Sequence, residues 1–319
     1  MSETIVSLRR KISGAEDLQS VVRTMKALAA SSISQYEKSV SALADYYRTV
    51  ELGLGVCFRE SPPVASAAGR KRKTDTGTAG AVVFGSDQGL VGQFNDIVAD
   101  YAVRKLAALP GKTQVWAVGE RVHARLEDAG IQPAGLFTVP SSVKAVAPLV
   151  GQILIESEEL QSQEDFTELT ELYLFYNRPR SHAVYEPVSQ RLLPLDESWR
   201  RELAERPWPT GNLPEVMGEN IATLKALIRE YLFVSLFRAC AESLASENAS
   251  RLAAMQRAEK NIDELLEELR GSFYHLRQSG IDEELFEVIA GFEALSRSRS
   301  PGHSEDNKAQ NRLQAESEG

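Results

Sequence analysis

The stretch EKNIDELLEELRGSFYHL, residues 259–276, decides the architecture. Its apolar residues Ile262, Leu266, Leu269, Phe273 and Leu276 step by four and three in turn. A seam of mean period 3.5 winds a helix left-handed against a partner helix. The carboxylates of Asp263, Glu264, Glu267 and Glu268 fall on the face opposite that seam, as in a solvated helix rather than an acid/base pair. Further on, Ile281, Leu285, Val288, Phe292 and Leu295 repeat the step, displaced by one residue near Gly280, which predicts a local change in winding.

A matching seam lies near the other end of the chain. Ile33, Tyr36, Val40, Leu43, Tyr47, Val50 and Leu54 keep the same spacing, preceded by Ile5, Leu8, Ile12 and Ala15, then Leu18, Val22, Met25 and Ala29. Proline placement agrees. Of 13 prolines, 12 fall between Pro62 and Pro214, leaving residues 1–61 and 215–300 without any. An interior proline costs a helix about 3 kcal/mol, so only the two outer blocks are free to be very long helices. A helix over 217–295 would run roughly 120 Å at 1.5 Å per residue, too long for a domain of this size to surround. The competing reading is a bundle whose helices break at Gly14, Gly218, Gly271 or Gly280, each costing about 1 kcal/mol relative to alanine. The period favours a projecting antiparallel pair.

The centre has a different rhythm. Ala81–Phe84, Val115–Gly119 and Glu171–Tyr176 read as buried strands. Helical patterns run from Asn95 to Leu109, up to Ala129, and from Leu149 to Leu160. Strands alternating with helices predict a parallel α/β layer, closed by a two-strand finish over Val184–Leu193. The domain organisation is therefore an N-terminal helix over 1–60, a linker over 61–79 with the basic run Arg70–Lys73, an α/β domain over 80–214 with a proline-rich exit from 194, a C-terminal helix over 215–295, and a polar tail over 296–319 that cannot bury apolar area.

Composition narrows the function classes. A net charge of −9 argues against a general nucleic-acid binder. No apolar run approaches a membrane span, and Met1-Ser2-Glu3-Thr4 shows no signal-peptide core. Cys57 and Cys240 read as reduced, packed thiols. Gly85, Gly89 and Gly92 follow a strand, but Gln93-Phe94 stand where a phosphate loop needs Lys-Ser/Thr, so a tight turn is expected. The four histidines are scattered without metal spacing, and Gly85-Ser86-Asp87 lacks the second glycine of a nucleophile elbow. No catalytic residue, cofactor or metal is expected. A small-molecule enzyme with helical dimerisation arms and a scaffold coiled coil remain as alternative classes at this level.

Two C-terminal stretches, SLASENASRLAAMQRAEKNIDELLEEL (243–269) and LRQSGIDEELFEVIAGFEAL (276–295), resemble the signature of the gamma subunit of F-type rotary ATP synthases. The matching positions are Ser246, Glu247, Arg251, Ala254 and Met255, then Arg277, Gln278 and Ile281. Residues 24–31, 86–92, 176–178 and 192–195 are similar to further family segments, in family order. The resemblance implies a long antiparallel coiled coil with an inserted Rossmann-like α/β domain. That coil would act as a rotor shaft inside a ring of alpha and beta subunits, its foot on the epsilon subunit and the c-ring. It places the chain peripherally on the cytoplasmic face of a bacterial inner membrane. It further implies ring contacts by Met25, Lys26, Arg277, Gln278, Asp282 and Glu284. Three departures point to a divergent branch, an alternative ion-pumping F-type ATPase. Asp282 stands where the family usually has threonine, Ser32-Ile33-Ser34-Gln35 replaces a basic run, and 24 residues follow Leu295.

Overall fold

The computed structural model describes residues 4–60, 78–162, 169–180, 183–212, 214–216 and 220–298, which form eleven elements. The two outer helices are α1 (Ile5–Glu60) and α6 (Asn220–Ser298). α1 runs unbroken through Gly14 and α6 through Gly271 and Gly280, so the breaks that the bundle alternative places there do not occur; Gly218 lies outside the described residues. Between them lie β1 (Thr78–Phe84), α2 (Phe94–Leu106), β2 (Lys112–Val118), α3 (Glu120–Asp128), β3 (Gly135–Phe137), α4 (Val143–Ser162), β4 (Leu169–Arg180), β5 (Ala183–Leu193) and α5 (Glu197–Glu205).

The chain forms two compact units. One joins the start of α1, up to Val21, to the part of α6 from Glu259 onward. Here the helices run antiparallel. Gln19 donates its side-chain amide to Asp263, Arg270 meets Glu16 at 2.6 Å, and the Arg9 guanidinium lies 5.9 Å from the centre of the Phe273 ring. Leu8, Ala15 and Leu266 fill the seam. Along α1 the buried row is a strict heptad, Leu8, Ala15, Val22, Ala29, Tyr36 and Val50, with half-buried Leu43 completing it. The second row passes through Gln19 rather than Leu18, and at the next heptad Met25 and Lys26 are both half-buried. Leu18 is 59% exposed. Following the nearest apolar residue misplaced this part of the seam, because the helix keeps its period even where the seam residue is polar. A polar residue at such a position costs stability and fixes register.

The other unit spans Val22–Ala258 and contains one five-stranded sheet in the order β3-β2-β1-β4-β5. β1 to β4 are parallel, and β5 runs antiparallel to β4 along the edge. Val184–Leu193 is thus part of one continuous strand, not two. β3 and α5 were not foreseen: three residues are too few for a pattern, and α5 fits between Pro194 and Pro207. α4 also begins before Pro148, giving up only the bond that residue would have made to the carbonyl four positions back.

The period of two in β1 sorts its side chains onto two cores. Ala81 and Val83 meet Val98, Ala99 and Ala102 of α2 and Val122 and Leu126 of α3. Val82 and Phe84 face the opposite core, with Val146, Val150 and Ile153 of α4, Leu236, Cys240 and Leu244 of α6 and Tyr36 of α1. α6 is therefore covered by α1 on one side and the sheet on the other. Ala239, Ala241, Ser243, Ala245 and Ser246, all buried, keep it slim enough to fit. A third cluster joins α1, α5 and α6 through Leu54, Leu203 and Tyr231, with Trp199 packed on Tyr231 at 4.9 Å between ring centroids.

Leu236, fully buried where α6 crosses the sheet, sets a test of this packing. Leu236→Ala is expected to lower stability by about 2–5 kcal/mol, read as a reduced urea midpoint with unchanged slope.

Candidate functional site: a filled crevice and a helical contact surface

In open α/β sheets, ligands bind outside the carboxyl ends of the strands where the strand order reverses, here between β1 and β4. The chain fills that place with itself. After β1, the Gly85 N–H donates to the Val118 carbonyl at 2.8 Å. A Cβ on Gly85 would stand 2.3 Å from Val122 and 2.7 Å from Asn95, so only glycine lets α3 approach so closely. The Asn95 side chain accepts from the Ser86 N–H at 2.9 Å and donates to the Ser86 hydroxyl at 2.8 Å. The Asp87 carboxylate accepts from Glu120 N–H at the start of α3 and from Val139 N–H, at 3.0 and 2.9 Å. Gly92 completes the turn at φ +59°. The glycines serve a strand-to-helix turn, in agreement with the sequence reading.

Side chains from β4, β5 and α6 complete the closure. Fully buried Asn177 donates to the Phe94 carbonyl at 2.9 Å. The Tyr185 ring meets the Phe94 ring edge-on, at 5.3 Å between centroids. Ser250 donates its hydroxyl to the Val91 carbonyl at 2.5 Å, docking the loop onto α6. One turn earlier, buried Glu247 pairs with Arg251 at 2.6 Å. Burial pushes the Glu247 carboxyl up, the Arg251 charge opposes this, and Asp87 adds to the rise. Ser246 and Met255 are buried as well. Ser246, Glu247 and Met255, motif residues that carried the family resemblance, are therefore buried beside this docked loop's stretch of α6, a placement that signature spacing alone did not reveal. Among the described residues no three His, Cys, Asp or Glu side chains converge at metal-holding distances.

The expected contact residues lie elsewhere. Met25 and Lys26 are half-buried on α1, in the larger unit. Arg277, Gln278, Asp282 and Glu284 are exposed on α6, in the smaller one. Helical spacing groups Arg277 with Ile281 and Glu284, and Gln278 with Asp282 and Leu285. In the antiparallel register set by Gln19–Asp263 and Arg9–Phe273, α1 runs out opposite about residue 277. Beyond that point no described residue of α1 covers the second apolar seam. Ile281, Leu285, Val288, Phe292 and Leu295 are all exposed, Phe292 to 75%. Phe286 and Ile289 are also exposed, so the apolar surface wraps the helix. A second exposed stripe, Leu18, Val21 and Leu28, flanks Met25 on α1. The sequence displays both features, yet periodicity does not distinguish a seam facing this chain from one facing another.

The site thus defines a class: an α/β domain whose ligand crevice is filled by its own chain, carried between two very long helices with apolar contact surfaces. Comparison with known proteins narrows this. The sequence model of the family described as ATP synthase matches residues 4–295. The ATP synthase gamma chain of Sorangium cellulosum (strain So ce56) is 27% identical over 92% of this chain and 99% of its own length. That of Rhizobium johnstonii is 28% identical, with the same two shares. Among solved structures, a chain of the Euglena gracilis mitochondrial ATP synthase (OSCP/F1/c-ring) has a TM-score of 0.63 at 17% identity, over 94% of this chain and 97% of that one. A chain of the Tetrahymena thermophila mitochondrial ATP synthase central stalk and c-ring has a TM-score of 0.52 at 20% identity, over 75% and 99%. The chain belongs to the ATP synthase family.

Three measurements check this joint. Gly85→Ala should destabilise by about 1–3 kcal/mol through overpacking against Val122, read by thermal unfolding. Arg251→Ala, which strands the buried Glu247 carboxylate, should cost about 3–5 kcal/mol. Burial raises the Cys240 thiol above its ordinary range, and raises Cys57 with help from Glu60, so both stay protonated near neutral pH. A thiol reagent should modify neither in the native chain and both after denaturation.

Proposed function

We propose that this chain is the central rotor shaft of an F-type ATP synthase, coupling ion flow through a c-ring to nucleotide chemistry in a surrounding alpha/beta ring. It carries no active site of its own. Family membership supports this reading, as do relatives named gamma chains and likeness of fold to central-stalk structures. The observation that carries it is the apolar end of α6, which is made for burial yet has no described residue of α1 to bury it. In the assembly that end seats in the alpha/beta ring, beside Arg277, Gln278, Asp282 and Glu284, while Met25 and Lys26 face the ring lower on the shaft. The α/β domain rests on the epsilon subunit and the c-ring. The complex holds the chain at the cytoplasmic face of a bacterial inner membrane; among the described residues no helix is long and apolar enough to cross one.

The mechanism is differential contact. A shaft with different residues around its circumference presents a different surface to each catalytic subunit. At any angle the three sites then differ in conformational free energy, and so in nucleotide affinity. Rotation exchanges the three states. Asp282 adds a negative charge at the tip, so a cationic or N–H-rich lining is the complement this chain requires.

Affinity purification of the tagged chain from its native cells should recover alpha- and beta-like ATPase subunits; recovery of the chain alone would overturn the reading. Replacing Phe286 and Phe292 by serine should weaken retention in the ring by about tenfold or more while leaving the chain's own melting temperature unchanged. The pair Arg277→Ala and Gln278→Ala should lower coupled turnover of the assembled complex several-fold, measured as ion pumping per ATP hydrolysed. Unchanged coupling would remove those two residues from the contact surface.

A further inference from the structure

The two edges of the sheet are not alike. β5 carries Pro187 and holds Glu186 against Arg178 and Arg180 at 2.9 and 3.0 Å, which blunts that edge against further pairing. β3, Gly135-Leu136-Phe137, has neither proline nor charge, and Leu136 is 47% exposed. The Phe137 carbonyl accepts from Gly119 N–H on the β2 side, and Val139 N–H turns back to Asp87. By alternation the N–H and C=O groups of Leu136 and Thr138 point away from the sheet. Among the described residues no strand lies beyond β3 to receive them.

α4 runs beside this edge. Between them lies a groove of about 390 Å³, lined by Phe137, Pro140, Ala145, Pro148, Leu149 and Gln152. Lys144, Pro148, Gln152 and Glu156 form one row of i,i+4 neighbours on α4, and all four are exposed. The row thus begins with a cation and ends with an anion. Glu156 Oε2 stands 3.5 Å from the point where a Gly135 side chain would begin. Neither Lys144 nor Glu156 makes an ion pair among the described residues.

We propose that this groove docks an extended segment of a partner polypeptide, added to β3 as an antiparallel strand. An acidic residue of the segment meets Lys144, an apolar residue enters the groove, and a basic residue meets Glu156. An open strand edge beside a helix-walled groove is what strand addition uses: backbone bonds hold the segment and pockets choose its side chains. Successive side chains alternate faces, so the three recognised residues stand at every second position. The two residues between them exchange hydrogen bonds with Leu136 and Thr138. Gly135 leaves space for the basic side chain above Glu156. The opposite charges at the two ends set the direction of the segment. This surface is separate from the ring contacts proposed for the shaft, so either reading can fail without the other.

Fluorescence anisotropy of the full chain tests this, with the peptide Glu-Thr-Val-Thr-Lys carrying fluorescein at its N-terminus and an amide at its C-terminus. The expected result is saturable one-to-one binding at submillimolar chain. N-methylation of both threonines removes the N–H groups that pair with β3 and should weaken binding by at least about tenfold. The reversed peptide Lys-Thr-Val-Thr-Glu should bind several-fold more weakly. Glu156→Lys should weaken the first peptide several-fold and restore binding to Glu-Thr-Val-Thr-Glu; the residue is exposed, so this variant leaves the core intact. Absence of saturation, equal binding of the N-methylated peptide, or indifference to Glu156→Lys would overturn the assignment. Sedimentation of the chain alone separates the other occupant: a dimer dispersed by Leu136→Pro, which removes an outward N–H, would assign the edge to a second copy and overturn the proposal.

Discussion

Everything in the larger unit depends on one steric constraint: α6 must pass between α1 and the sheet. A helix packed on opposite sides has no solvent face to spare for bulky polar groups. Alanine and serine from 239 to 246 meet that demand, with Leu236 and Leu244 filling the sheet side. The same crowding explains why Glu247 and Arg251 must pair with each other, and why Ser250 can reach the Val91 carbonyl. Close packing, not a ligand, organises the strand ends. The loop that in other α/β proteins would receive a phosphate is here the bearing surface of a helix.

The sequence disclosed the fold to differing depths. The two long helices were legible because proline exclusion and heptad spacing act over dozens of residues. Three parallel strands were legible as apolar runs. The short β3, the continuous β5 and the nine-residue α5 were not, since their stability comes from neighbours rather than from local pattern. The seam itself was misread at Leu18, where Gln19 keeps the heptad and the leucine turns outward. The candidate contact residues were legible only through family resemblance. Arg277 and Gln278 are ordinary exposed helix residues by every local criterion. What periodicity did contain, and could not interpret, was the second seam from Ile281 to Leu295, an apolar surface left exposed on the helix.

The two units divide the mechanical demands. In the larger one, aromatic clusters around Tyr47, Tyr231 and Trp199 and the ion pair of Arg206 with Glu51, at 2.8 Å, brace α1 and α6 with α5. The smaller one relies on a thinner seam, in which alanine and glutamine alternate with leucine and isoleucine, with ion pairs at its margins. Bracing suits a segment that receives torque.

Because α1 and α6 are partners from opposite ends of the chain, synthesis imposes an order of events. At roughly 5–20 residues per second, about ten to thirty seconds separate completion of α1 from the first residues of α6. Throughout that interval the apolar rows of α1 have no mate, while the intervening strands and helices can already condense around β1 and β4. Long-range contacts of this kind fold slowly and leave hydrophobic surface exposed. The pairing of α1 with α6 therefore leaves the first helix of the nascent chain without its mate until the 79 residues of α6 emerge to close on it.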